Sequence, residues 1–69
     1  STAQYTDAVA IGKGSVTGSA APTTTGYITN QAAPTSEVSV GGGTAATNRR
    51  ITNVADGSAL TDAVTVAQL

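Results

Sequence analysis

Two short stretches alternate apolar and small positions and then stop on glycine. In Asp7-Ala8-Val9-Ala10-Ile11-Gly12, Val9 and Ile11 fall on one face at a period of two, with Ala8 and Ala10 on the other. In Glu37-Val38-Ser39-Val40-Gly41, Val38 and Val40 alternate with Ser39. β-Branched residues between small ones predict two short strands, closely packed on both faces. Ala10-Ile11-Gly12 and Ser39-Val40-Gly41 are 29 residues apart. The recurrence points to a repeat of short strands and glycine turns, as in β-solenoids. Such a unit cannot bury its own face and needs stacked neighbours or partner chains.

Gly12, Gly14 and Gly18 punctuate the first stretch with bends. Between the copies, Pro22 and Pro34 hold the residues before them extended. Thr24 to Thr29 reads as a short edge strand, a hairpin arm carrying Tyr27 and Ile28. Linkers seldom carry such a pair, so this segment reads as an insertion on the repeat. After Gly41-Gly42-Gly43 the character changes. Arg49 to Val54 is β-branched and reads as a strand, and Asp56-Gly57 as a turn. Ser58 or Thr61 can cap a helix, with Asp62 favourable in its first turn. Ala63, Val66 and Leu69 recur at i, i+3 and i+6, and Ala59 or Leu60 extends the stripe. That face is wide enough for a coiled-coil seam but not for a globular core.

Composition sharpens this. In 69 residues the large apolar side chains are seven Val, three Ile and two Leu, plus two Tyr, with no Phe, Trp, Met or Cys. That is too little to stabilise an ordinary monomeric globule, and no disulfide or thiolate site is available. Disorder usually accompanies high net charge, whereas here it is −1. The remaining route to stability is oligomerisation. Three basic residues, Lys13, Arg49 and Arg50, give no footprint for nucleic acid. No apolar run approaches the length that spans a bilayer, so the chain is not expected to be membrane-inserted. The chain does not begin with Met and shows no signal peptide, so it reads as an excerpt from a longer protein.

Candidate chemistry is sparse. Gly12-Lys13-Gly14-Ser15 resembles a phosphate loop but fails twice: Asp7 stands where the first glycine belongs, and Gly14 where Ser or Thr must follow the lysine. No histidine is present to activate Ser15, Ser19 or Ser36. Glu37 has no second carboxylate in its segment for acid–base work. Asp7 or Asp56 alone cannot supply the several oxygens calcium requires. The chain is therefore expected to be no enzyme, with no catalytic residue, cofactor or metal. Adjacent Arg49 and Arg50 on a strand would face opposite ways and form no patch. One or both are expected to pair with a carboxylate of the same or a neighbouring chain, with Arg50–Asp62 the specific pair proposed and Asp56 the other candidate. Tyr27 reads first as a cover for the end of the repeat stack, since a solenoid end needs a cap, with a ligand contact as the alternative.

From Val38 onward the residues resemble the neck motif of trimeric autotransporter adhesins. The resemblance is carried by Val38-Ser39-Val40-Gly41, Arg49-Arg50-Ile51-Thr52-Asn53-Val54-Ala55 and Thr61-Asp62-Ala63-Val64-Thr65-Val66-Ala67-Gln68-Leu69. Upstream, Asp7 to Ser15 resembles the YadA-like head repeat, of about fourteen residues, so the 29-residue offset leaves about fifteen over. Gly26-Tyr27 through Ser36 resembles a head insert motif. Arg50 stands where Gln is common, Asp56 where Ala is common and Thr65 where Asn is common.

The resemblance implies a mainly β fold. A trimeric left-handed parallel β-roll head would be followed by a neck leading into a short C-terminal helix, the start of a coiled coil. Residues 1–37 would be head repeat with an insert at about 21–35, and residues 38–69 the neck leading into the coiled-coil stalk. The neck and trimer contacts would fall on Val38, Val40, Gly41, Arg50, Ile51, Asn53, Val54, Gly57, Asp62, Ala63, Val66 and Leu69. The expected assembly is a homotrimer on the bacterial cell surface. Its outer-membrane anchor would lie in a C-terminal part absent from this fragment. Its function would be virulence-associated cell adhesion to host cells or extracellular matrix such as collagen or fibronectin, with this fragment adapting head to stalk. A connector with no ligand of its own, or a segment of a trimeric phage fibre, are the alternatives.

Overall fold

Parallel pairing between turns of chain organises the first half of the molecule. The computed structural model describes residues 1–69 throughout. Strand β1 is Val9–Ala10 and strand β2 is Val38–Ser39, paired in parallel with Val9 opposite Val38 and Ala10 opposite Ser39. The 29-residue offset between the two sequence copies is thus the register of the pair. The Val9 N–H donates to the Glu37 carbonyl at 3.1 Å and the Ile11 N–H to the Ser39 carbonyl at 2.9 Å. That is the slanted, evenly spaced pattern of parallel strands.

A second line of pairing runs alongside. Thr2 and Val16 form a parallel bridge, with the Thr2 N–H on the Ser15 carbonyl at 2.8 Å and the Thr17 N–H on the Thr2 carbonyl at 3.1 Å. The Val16 N–H then donates to the Gly41 carbonyl at 3.0 Å, extending this line by one layer. From Thr2 to Val16 the chain takes fourteen residues to return, and from Val9 to Val38 it takes 29. The second circuit is therefore fifteen residues longer.

The interior of this stack is polar. Ser15 and Thr17 are buried, together with Gly41. Of the large apolar side chains, all but Val40 and Tyr5 are exposed, and no hydrophobic residue is buried. Thr17 Oγ1 accepts the Gln4 N–H at 3.0 Å, and the Gln4 amide donates to the Thr17 carbonyl at 2.6 Å. Tyr5 Oη donates to Glu37 Oε1 at 2.9 Å, tying the first turn to the entrance of β2.

Three expected elements differ. Thr24 to Thr29 does not form a strand arm: residues 27–29 are a turn, because Ile28 and Asn30 take left-handed backbone, which no strand accommodates. Residues 49–54 form no strand, since no neighbouring segment of the same chain supplies a ladder and Asn53 is left-handed at φ 60°. In place of a helix over 61–69 there is one 3-10 turn, Val66–Gln68. Nine residues are too few to hold an isolated α-helix, and Ala63, Val66 and Leu69 are exposed with nothing packed on their stripe.

Candidate functional site

Two side-chain locks follow the stacked turns. The first is Arg49. Its Nη1 donates to Ser15 Oγ at 2.8 Å and to the Val40 carbonyl at 3.0 Å, and its Nη2 donates to the Lys13 carbonyl. The Ser15 hydroxyl in turn donates to the Ile11 carbonyl, so this buried group is used on both sides. The fork of guanidinium donors suits such spread acceptors, which an ammonium cannot reach together. The guanidinium lies on Gly12: a methyl group there would sit 2.9 Å from Arg49 Cζ, and Gly12 has φ +102°. One arginine beyond the Gly41–Gly43 run therefore clasps the 12–15 turn and the end of β2.

The second lock closes residues 56–69 on themselves. Gln68 acts through both ends of its amide: Oε1 accepts the Gly57 N–H at 2.8 Å and the Thr65 N–H at 3.1 Å, while Nε2 donates to the Gly57 carbonyl at 2.9 Å. Gly57 admits no side chain, because a Cβ would lie 2.6 Å from the Ala63 carbonyl oxygen. Thr65 Oγ1 donates to Asp56 Oδ1 at 2.7 Å. Asp56 and Thr65 thus satisfy each other. Asp62 Oδ2 accepts the Ala59 N–H at 3.0 Å and the Ser58 N–H at 3.1 Å. Those two backbone bonds, Ala59 first, hold its carboxyl below the usual aspartate value of 3.8.

The structure gathers many of the residues singled out from sequence. Ile51, Asn53, Val54, Ala63 and Val66 line one open, mostly apolar cleft of about 360 Å³. Val38, Val40 and Gly41 line another of about 400 Å³, beside Arg49. Gly57 and Asp62 belong to the self-closed turn. Leu69 and Arg50 are exposed. The Arg50–Asp62 pair does not form within the chain, because Asp62 Oδ2 is engaged by its own turn. The arginine that locks the chain is Arg49, and its partners are a hydroxyl and carbonyls rather than carboxylates. Sequence reasoning also missed Ser15, Gln68 and the Tyr5–Glu37 bond. The glycine at position 12 was the available signal for a close approach. Partial burial, then the Glu37 carboxylate, raises the Tyr5 phenol above its ordinary value of 10.0. Tyr27 is 91% exposed and covers no part of the stack.

No group of three or more His, Cys, Asp and Glu is placed to hold a metal ion. No helix is long and apolar enough to cross a membrane.

The structure thus shows stacked parallel turns, a polar interior and an apolar exterior. Residues 50–69 match the family described as the coiled stalk of trimeric autotransporter adhesin, a match that supports an adhesin of this kind. Adhesins of this family are homotrimers anchored in the outer membrane. No curated protein and no solved structure matches the chain.

Proposed function

We propose that the chain is the head-to-neck segment of the adhesin, in which residues 1–37 end a left-handed parallel β-roll and residues 38–69 pass the trimer into the stalk. The observation that carries this reading is the order of parts. In-register parallel turns end at Gly41, and the stalk match begins at Arg50. Arg49, at the junction, ties the two together. In the trimer the 51–54 and 63–66 cleft receives apolar side chains of neighbouring subunits, and residues 61–69 become helical when three stripes meet. The whole protein attaches bacteria to host cells or extracellular matrix. This segment holds the head rigid so that three weak sites act together, and it carries out no catalysis.

The test is the solution mass and melting of the chain with and without an in-register trimeric coiled coil fused after Leu69. The fused chain is expected to be a trimer with a cooperative β-rich transition, and the unfused chain largely unfolded. A folded monomer without the fusion refutes the interchain core. Binding of the fused trimer to collagen or fibronectin assigns this segment an adhesive role, and no binding to either removes matrix protein as its ligand.

A further inference from the structure

Between the two prolines the chain makes a self-bonded turn that carries two exposed apolar side chains. Tyr27 is 91% and Ile28 81% exposed, side by side. The backbone beneath them is held by the Gly26 N–H on the Gln31 carbonyl at 2.8 Å, the Asn30 N–H on the Gly26 carbonyl at 2.9 Å and the Thr29 N–H on the Tyr27 carbonyl at 2.8 Å. A Cβ at Gly26 would lie 2.8 Å from Thr29 Oγ1. Ile28 sits at φ 69° and Asn30 at φ 56°. A β-branched residue in that region is a true outlier, kept only where the surroundings impose it, and such strain gathers at binding sites. The tip thus presents an aromatic ring on a fixed support.

Its chemistry is neutral. No charged residue lies between Lys13 and Glu37. The exposed polar side chains on the same turn are Thr29, Asn30 and Gln31, hydroxyl and amide groups that donate and accept without charge. From this juxtaposition we propose that the Tyr27 tip is a binding site for uncharged carbohydrate. The proposal deepens the adhesive reading and rests on it. The C–H face of a pyranose packs on the tyrosine ring, Ile28 flanks it, and the ring hydroxyls bond the amides of Asn30 and Gln31. Acidic sugars, phosphates and nucleic acid would seek Arg or Lys, which the insert lacks. A protein partner needs roughly 800 Å² on each side, far more than two side chains on a single turn provide. A single sugar ring matches the scale of one tyrosine face. The homotrimer carries three such tips, so weak single-site affinity is compatible with firm attachment.

The test uses cells displaying the trimeric adhesin that contains this chain, with display levels matched by antibody. They are applied to an array of neutral oligosaccharides ending in galactose, glucose or N-acetylglucosamine, to sialylated and sulfated ones, and to collagen- and fibronectin-coated surfaces. Binding to neutral glycans is expected. Y27A should lower it at least about tenfold, because all three sites weaken together, and Y27F should retain it within about threefold. Neutral-glycan binding that survives Y27A, binding confined to acidic glycans, or no glycan binding overturns the proposal. Attachment to collagen or fibronectin without glycan binding overturns the carbohydrate site and leaves the adhesive reading standing. Attachment to none of these surfaces overturns both.

Discussion

Gly12 and Arg49 are 37 positions apart in sequence and in van der Waals contact in the structure, so they form a natural double-mutant cycle. Arg49→Ala removes hydrogen bonds to Ser15 Oγ and to the Val40 and Lys13 carbonyls. Ser15 keeps its bond to the Ile11 carbonyl, and water can reach the exposed carbonyls, so no buried group is orphaned. The loss is therefore at the lower end for charge-assisted bonds, about 1–2 kcal/mol per chain. Gly12→Ala carries two penalties. The backbone at φ +102° disfavours a side chain by about 1–2 kcal/mol, and the methyl group would press on the guanidinium at 2.9–3.1 Å. The first penalty is intrinsic to position 12, whereas the second exists only while Arg49 is present.

The cycle must then be non-additive. In the Arg49→Ala background, Gly12→Ala should cost about 1 kcal/mol less per chain than in the wild type. Thermal melting of the trimer, followed by circular dichroism at one fixed chain concentration, reads each corner, since assembly makes the midpoint concentration-dependent. Arg49→Lys should resemble Arg49→Ala, because an ammonium cannot span a hydroxyl and two carbonyls at once. Additivity of the two substitutions within about 0.3 kcal/mol, or a lysine that restores the melting point, would refute the clasp.

Three other outcomes follow from particular contacts. Gly57→Ala should open the 56–69 turn, because its Cβ would lie 2.6 Å from the Ala63 carbonyl oxygen; amide exchange at Gly57 and Thr65 should lose its protection, and a trimer melting as wild type would contradict the geometry. Asp62 has a carboxyl pKa lowered by the Ala59 and Ser58 amides, so its stabilisation is present above the unfolded value of 3.8 and fades as pH falls through the lower folded value. Protection of the Ala59 and Ser58 amides, taken relative to intrinsic exchange, should therefore fall as pH drops through the folded value in the wild type, and Asp62→Asn should flatten that dependence. Tyr5 has a raised phenol pKa, so its contribution is complete below pH 10.0 and lost as pH rises through the folded value; Tyr5→Phe should remove that alkaline loss, measured by melting between neutral and alkaline pH.

How far the chain could be read from sequence depends on where each signal lies. The β1–β2 register was legible because Val9-Ala10 and Val38-Ser39 carry the same alternation and both copies stop on glycine, so the 29-residue offset was visible before any pairing was known. The longer second circuit followed from the same offset. Arg49 was not legible as a lock. A charged side chain suggests a charged partner, but this one uses a guanidinium fork on carbonyls and a serine that become neighbours only after two circuits of chain. Gln68 escaped notice for a similar reason: its partner is the backbone of Gly57, and backbone acceptors leave no mark in the side-chain pattern. The helix expected over 61–69 rested on a stripe of Ala63, Val66 and Leu69, and a stripe describes a helix only where something covers it.

That last point extends to the whole molecule. In a globular chain apolar residues go inside and polar ones outside, and composition alone locates the core. Here the arrangement is reversed: Ser15, Thr17 and Gly41 are inside, and Val9, Ile11, Val38 and Ile51 are outside. The interior of this narrow coil of parallel turns takes short side chains whose hydroxyls bond the adjacent backbone. The hydrogen bonds fix the register of one chain, while the hydrophobic driving force lies on its outer surface, where it acts only between chains. In the proposed trimer, folding and assembly are one equilibrium, with burial between three copies offsetting the entropy of ordering each. Substitutions at the polar interior should therefore disturb register, and those at Val38, Ile51 or Val66 should disturb assembly first. Because folding and assembly are one equilibrium, both classes should lower the midpoint at a fixed concentration and both midpoints should rise with concentration as the wild type's does; amide exchange in the assembled state separates them, with register variants losing protection at Thr2, Ile11 and Thr17 and assembly variants keeping it.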